Sequence, residues 1–335
     1  MSQTIDIHTH YLASTLVAAL ERRTELPRIS DGAAGRQIEY GKGNVHPVQD
    51  NMGDVELRLR EMDEQGIDVA VLSINIPGVD WFPPEDGLVV ARDVNDELAD
   101  LVAAYPDRLA ALATLPMQAP EAAAAELSRV MAAGFSGALI YSNVAGAPLD
   151  QPGFRVVFDA AAELGAPLYI HPTFPLSAST VDAYALIPTL GFMFDTTTAA
   201  LRLVLDGLFE RHPDFRLVLA HAASLLPQLA GRIDYEAERH TNGRGALSVE
   251  PSEHLRLIYT DSVCVWPPAL RSTLELLGPG HVMFGSDYPF WEPERSFRTL
   301  AQTGLDGATL TAIRESNARR LFGWGKASTK RGQGA

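Results

Sequence analysis

The sequence predicts an α/β chain of the (β/α)₈ (TIM) barrel class, with an insertion after strand one and helices at its C-terminal end. Eight short runs rich in Val, Ile, Leu, Ala and Tyr read as buried parallel strands, and stretches of helical periodicity lie between most of them. The length agrees. A chain of 335 residues is too long for one small domain and suits one barrel, and no break in composition marks a second unit. A doubly wound parallel sheet is the other arrangement compatible with this alternation.

The first run, residues 4–8, leads into His8-Thr9-His10. Residues 24–53, rich in Gly, Arg and Asn, read as the insertion. Residues 54–65 put Val55, Leu59 and Met62 at i, i+4 and i+7 on one helical face and lead to a second strand at 68–73. A helix over 88–105, stopped by Pro106-Asp107, precedes a third strand at 109–115. An Ala-rich helix at 122–133, closed by Gly134, precedes a fourth at 137–141. A helix at 154–164, closed by Gly165, precedes a fifth at 167–171. The next pairs are a helix at 197–211 with a strand at 216–221, and a helix at 225–239 with a strand at 255–261. A helix at 268–277, closed by Gly278, precedes an eighth strand at 282–287, and a last helix runs over 310–321. Residues 1–325 thus form one barrel domain, and 326–335 form a polar tail expected to be disordered. No internal repeat is present.

Composition narrows the function. Lys and Arg number 27 against 42 Asp and Glu, a formal charge of −15. Such a surface argues against nucleic acid or an anionic membrane as partner. No apolar run reaches roughly 18 residues, and the N-terminus has neither a basic nor an apolar leader segment. The single cysteine, Cys264, allows no internal disulfide, so a reducing, cytoplasmic setting is expected, with Cys264 a small packed residue.

In a barrel, chemistry sits at the C-terminal ends of the strands. Here the first run ends in His8-Thr9-His10, the fifth in His171, the sixth in His221, the seventh in Asp261 and the eighth in Asp287. Alternate residues of an extended strand share a face, so His8 and His10 can both project into the barrel mouth. Three imidazoles with the Asp287 carboxylate make an N₃O set that suits Zn²⁺ and tolerates Mn²⁺, Fe²⁺ or Co²⁺. A lone His-x-His is more often a turn or a buried polar pair; the companions at other strand ends single this one out.

These residues carry a resemblance. Ile5-Asp6-Ile7-His8-Thr9-His10, Tyr169-Ile170-His171-Pro172, Leu219-Ala220-His221-Ala222 and Phe284-Gly285-Ser286-Asp287-Tyr288-Pro289-Phe290 resemble the metal motifs of the amidohydrolase superfamily. More narrowly, they resemble its aminocarboxymuconate-semialdehyde decarboxylase-like branch of metal-dependent aromatic-acid decarboxylases. The narrower match extends through Val55-Glu56-Leu57-Arg58-Leu59-Arg60-Glu61-Met62-Asp63 with Gly66-Ile67-Asp68. It extends further through Phe194-Asp195-Thr196-Thr197, Gly207-Leu208-Phe209 and Ala230-Gly231-Arg232-Ile233, so the resemblance spans residues 4 to about 323.

The resemblance implies that His8, His10, His171 and Asp287 bind one divalent ion, zinc first and manganese second. It implies that His221 stands beside them as an acid/base group and that Asp287 takes part in proton delivery. Strand four ends in Leu139-Ile140-Tyr141-Ser142, without the lysine that bridges two metals in binuclear relatives, so one metal is expected. Arg232 falls where the branch has an arginine that reaches a neighbouring subunit's site and pairs with a substrate carboxylate; the plainer reading is a surface ion pair. A homodimer is therefore expected. Gln49 stands where the branch's name-giving decarboxylase carries a carboxylate-binding arginine, so a different substrate is expected.

Trp81, Phe82, Phe174, Phe290 and Trp291 follow predicted strand ends and could wall a ring-sized pocket, although ordinary loop packing explains each one singly. His46 reads as an exposed loop residue that could also cap the pocket, and His212, His240, His254 and His281 read as surface residues. Asp261 and Asp6 are placed to support the rim histidines. The expected function is non-oxidative decarboxylation of a small aromatic or conjugated carboxylic acid. Metal-dependent hydrolysis of a lactone, ester or amide, or hydration, is the alternative, and a barrel that only binds is a third.

Overall fold

The apolar runs form strands in the computed structural model, which describes residues 2–32, 35–41 and 44–324. The expected polar tail, 326–335, lies outside the described residues. Strand β1 (Ile5–His10) is followed by an antiparallel sheet of β2 (Arg28–Gly32), β3 (Gly35–Gly41) and β4 (Asn44–Pro47), so the insertion is itself folded. β5 (Val69–Ser73) and β6 (Leu109–Ala111) continue a parallel sheet from β1. A second parallel set starts at β7 (Ala113–Thr114) and β8 (Ala138–Tyr141). After the small hairpin of β9 (Asn143–Val144) and β10 (Ala147–Pro148), it runs on through β11 (Leu168–His171), β12 (Leu217–Leu219), β13 (Tyr259–Asp261) and β14 (Val282–Met283).

The expected third strand, 109–115, breaks at Leu112, which turns from one neighbour to the next. The Leu112 N–H donates to Leu72 O at 2.8 Å, and the Ala113 N–H donates to Gly137 O at 3.0 Å. The eighth strand is shorter than expected. Past Met283 the chain leaves regular pairing, yet it stays hydrogen-bonded to β1: Ile7 N–H to Phe284 O at 3.0 Å, Asp287 N–H to His8 O at 2.8 Å and His10 N–H to Tyr288 O at 2.7 Å.

Two apolar layers hold the strands. Ile5, Ile7, Val71, Leu139, Tyr169, Val218 and Met283 pack together on one face. Ala70, Leu72, Ile140, Leu168, Ile170, Leu217 and Leu219 pack on the other against the helices. Alternation along each strand produces both layers. The helices start and stop on local chemistry: the Asp54 carboxylate accepts Leu57 N–H at 2.9 Å ahead of Val55–Gln65, and Gly66 ends that helix at φ 72. No described helix is long and apolar enough to cross a membrane.

Candidate active site

The His-x-His pair sits at a flaw in its strand. The β1–β5 register slips by one residue between Asp6 and Thr9, a β-bulge that contains His8. Bulges re-aim side chains beside active sites: Ile5 and Ile7 pack in the inner apolar layer, and from the slip onward the alternate pair His8 and His10 meet side by side. Their Nε2 atoms stand 3.2 Å apart, and Asp287 Oδ1 lies 3.4 Å from the first and 3.1 Å from the second. The His171 ring centroid is 5.2 Å from that of His8 and 4.7 Å from that of His10. His221 Nε2 is 3.4 Å from Asp287 Oδ2. Candidate ligand atoms of His8, His171, His221 and Asp287 all lie within 4.8 Å of one another. The structure thus brings together all five residues singled out in the sequence.

The other ring nitrogens separate the histidines into two kinds. His8 Nδ1 is 2.8 Å from Asp261 Oδ2, His171 Nδ1 is 2.8 Å from Pro172 O, and His10 Nδ1 is 3.3 Å from Ser73 Oγ, whose own hydrogen goes to Thr9 O. Each Nδ1 therefore carries the proton, and each Nε2 lone pair turns inward. Nitrogen lone pairs this close repel unless a cation lies between them, and the buried His171 Nε2 has no hydrogen-bond partner. Three imidazole nitrogens and a carboxylate, each imidazole braced from behind, fit a divalent metal ion. His221 differs: among the described residues its Nδ1 has no partner, and its ring meets a carboxylate only at Nε2, toward Asp287.

Charge follows from this crowding. Burial drives His171 well below the usual imidazole range and His10 down to about 4. Burial acts the same way on His8, but Asp287 and Asp261 outweigh it and raise that group. For Asp287, burial favours the neutral acid, yet His8 and the bonds to His10 and His221 hold its carboxyl well below the ordinary range.

Asp261 is the central support. Its carboxylate accepts His8 Nδ1, the Tyr169 hydroxyl, and the backbone N–H groups of His221 (3.0 Å), Ala222 (3.1 Å) and Val263 (2.8 Å). His221, expected at a strand end, instead opens a left-handed run, with φ of 59, 52, 62 and 54 from His221 to Ser224. Each such non-glycine residue costs roughly 1–2 kcal/mol. Thr260 Oγ1 accepts Ala223 N–H at 2.7 Å and completes the hold on the run. Asp6 acts one layer below, accepting the backbone N–H groups of His8 and Ser286, both at 3.1 Å. Gly285 admits the close approach of this loop: a Cβ there would stand 2.8 Å from Asp261 Cβ and 2.9 Å from His8 Cβ.

A cavity of about 770 Å³ opens above the cluster, with His171, His221 and Asp287 in its wall. Four of the five expected aromatic residues, Trp81, Phe174, Phe290 and Trp291, line it; Phe82 does not, being buried beneath the Arg23 guanidinium. So does Cys264, half-buried and raised by burial. His46 corrects its expected place on an exposed loop: it lines the cavity with its ring centroid 4.8 Å from that of Phe290. His254 corrects likewise, being buried under Phe209. Arg232 is not in this cavity. It is exposed on the helix Leu226–Arg239, 3.7 Å from Glu236.

Sequence reasoning assigns no role to Ser73, Tyr169 or Asp195. Ser73 ends a predicted strand at the rim, which was its signal. Tyr169 and Asp195 stand inside quoted motifs, but their partners are distant in sequence. Asp195 accepts Asn143 Nδ2 at 2.8 Å and Leu176 N–H at 3.0 Å, and Asn143 also donates to Phe174 O, fixing that wall of the cavity.

A sequence-family model described as amidohydrolase matches residues 5–324. The chain belongs to the amidohydrolase family. It is 32% identical over 325 residues to gamma-resorcylate decarboxylase of Rhizobium sp. (strain MTP-10005), covering 91% of this chain and 97% of that one. It is 29% identical over 294 residues to 2-amino-3-carboxymuconate-6-semialdehyde decarboxylase of Dictyostelium discoideum, covering 85% and 81%. Among solved structures, a dihydroxybenzoic acid decarboxylase of Polaromonas sp. JS666, with bound manganese and the inhibitor 2-nitroresorcinol, superposes with a TM-score of 0.79 at 27% identity. That match covers 96% of this chain and 97% of the other. Within the amidohydrolases, the chain is a decarboxylase of the aminocarboxymuconate-semialdehyde decarboxylase-like branch.

Proposed function

We propose that this amidohydrolase decarboxylates an aromatic carboxylic acid with one divalent ion held by His8, His10, His171 and Asp287, and with His221 as the acid/base group. The observation that carries the reading is the split among the imidazoles: three have Nδ1 fixed from behind and Nε2 turned toward Asp287, and the fourth is unbraced. Zinc suits the three-nitrogen donor set, and manganese is the ion in the Polaromonas relative.

A divalent ion in this place supplies Lewis-acid attraction for the substrate's carboxylate or phenolate oxygens. The chain's residues do the rest. Trp81, Phe174, Phe290 and Trp291 confine the ring so that its carboxylate-bearing carbon faces the pair His221 Nε2 and Asp287 Oδ2. A proton passed along that pair reaches the ring carbon. The bond to the carboxylate then breaks, its electron pair restores the ring, and CO₂ leaves.

Three finer readings accompany this one. The strands close into one eight-stranded barrel, with β6 and β7 counting as a single strand; the bonds from Ile7, His10 and Asp287 across to the other end of the strand order support it. The working unit is a homodimer in which Arg232 reaches the neighbouring site and meets the reacting carboxylate. The setting is the cytoplasm, consistent with a lone cysteine.

The test is CO₂ release by metal-loaded protein from a panel of hydroxybenzoic acids, run beside ring opening of a lactone panel. CO₂ release is the expected result. Lactone opening without CO₂ would transfer the site to hydrolysis.

A further inference from the structure

The cavity is far larger than the ring it is read to hold. About 150 Å³ is enough for a benzene, whereas this space of about 770 Å³ falls in the upper part of the range that takes drug-sized ligands. It also has a direction. His171 and Asp287 are buried at its floor, while Val45, Val265 and Trp266, at 49%, 51% and 65% exposure, mark its mouth.

Its walls are mostly apolar, interrupted by Asn75, Thr173, Ser224 and Gln228. Several hydroxyls that line it are turned into the protein: Tyr40 donates to Ile76 O, Thr189 to Ala185 O and Thr273 to Ala222 O. Among the described residues that line it, none is a lysine or an arginine. A second carboxylate placed midway to the mouth would lose water and meet no countercharge from the described lining residues, since the Arg232 of the proposed dimer is taken up by the reacting carboxylate at the floor, and that is costly. A methylene chain or a second ring would gain by leaving water.

Resting on the decarboxylase reading above, we propose that the substrate is an aromatic acid with a single carboxylate and an extended, uncharged apolar substituent. The carboxylate end sits at the histidine floor, and the substituent runs past Trp81 and Val265 toward Trp266 at the mouth.

The test uses binding, so that it does not depend on turnover. Three of the chain's 4 tryptophans, Trp81, Trp266 and Trp291, line the cavity and report occupancy by fluorescence. Metal-loaded protein is titrated with para-alkylphenols from methyl to pentyl, and with a chain of matched length ending in a carboxylate. Each buried methylene should tighten binding about fourfold, and the acid-ended chain should bind at least tenfold more weakly than its neutral match. Val265→Arg, at an exposed position that leaves the core untouched, should weaken the pentyl compound and favour the acid-ended one. Affinity independent of chain length, or tighter binding of the acid-ended chain by the unaltered protein, would overturn the proposal. So would a pentyl preference unchanged in Val265→Arg. A chain-length trend without CO₂ release from any acid would remove the decarboxylase reading and leave the apolar specificity standing.

Discussion

Asp261 holds His221 by its main chain and not by its ring: the carboxylate accepts the His221 N–H at 3.0 Å, while the imidazole Nδ1 of the same residue has no partner. The same carboxylate accepts His8 Nδ1 at 2.8 Å. One buried group therefore fixes an imidazole read as a metal ligand and the backbone read to carry the acid/base group. Asp261→Asn would keep the shape and lose the charge. The expected result is a metal affinity lower by roughly 10–100-fold together with reduced turnover at saturating metal, because the left-handed run loosens as well. Metal titration followed by kcat at saturation checks this. Full turnover once metal is restored would limit Asp261 to the His8 side.

His10 and His221 separate by metal content. Elemental analysis should give about one ion per chain. His10→Ala should lose it, whereas His221→Asn should keep it and lower kcat/KM by roughly 10²–10⁴-fold. Metal loss in His221→Asn, with metal retained in His10→Ala, would exchange the two roles.

Arg232 is tested in mixtures. Arg232→Ala should raise KM for the acid and leave metal content unchanged. Mixed with His221→Asn, it should regain activity, since a mixed dimer can build one site with both groups intact. A strictly monomeric protein, or no regain in verified mixed dimers, would leave Arg232 as the exposed partner of Glu236.

Asp80 gives a pH prediction away from the histidine cluster. Burial lifts its carboxyl to about 7, against a single backbone bond from Met117 N–H at 3.3 Å. The folded state binds this proton more tightly than the unfolded chain does, so stability drains away as pH rises from about 4 to about 7. Asp80→Asn removes that loss and can keep the acceptor for Met117. The variant's gain in Tm should be small near pH 4 and grow to its full size near pH 8, worth on the order of a few kcal/mol at most. A gain independent of pH, read by thermal melts across that window, would contradict the assignment.

How much could be read from sequence follows from range. Strands such as 167–171 and helices such as 54–65 announced themselves because their patterns are local: β11 is Leu168–His171 and the helix is Val55–Gln65. The clustering of His8, His10, His171, His221 and Asp287 was legible because each closes or follows an apolar run. The left-handed run at His221-Ala222-Ala223-Ser224 was not, since no glycine marks it and the groups that hold it, Thr260 and Asp261, lie about 40 residues away. The folded insertion was hidden for a related reason: β2 to β4 are short, mixed in composition and paired with one another. His46 was misplaced along with them, because only that pairing carries it to Phe290.

The Asp287 carboxylate and its partners His8 and His10 lie far apart in sequence. His8 and His10 are made on the ribosome well before Asp287, which follows only after the intervening strands and helices. Until then the two imidazoles lack the one carboxylate that faces both of them. A growing chain, or one cut short before Asp287, thus cannot present the complete set of donors to an ion. Loading becomes an event that follows synthesis, and the metal concentration that matters is the one met by the finished protein.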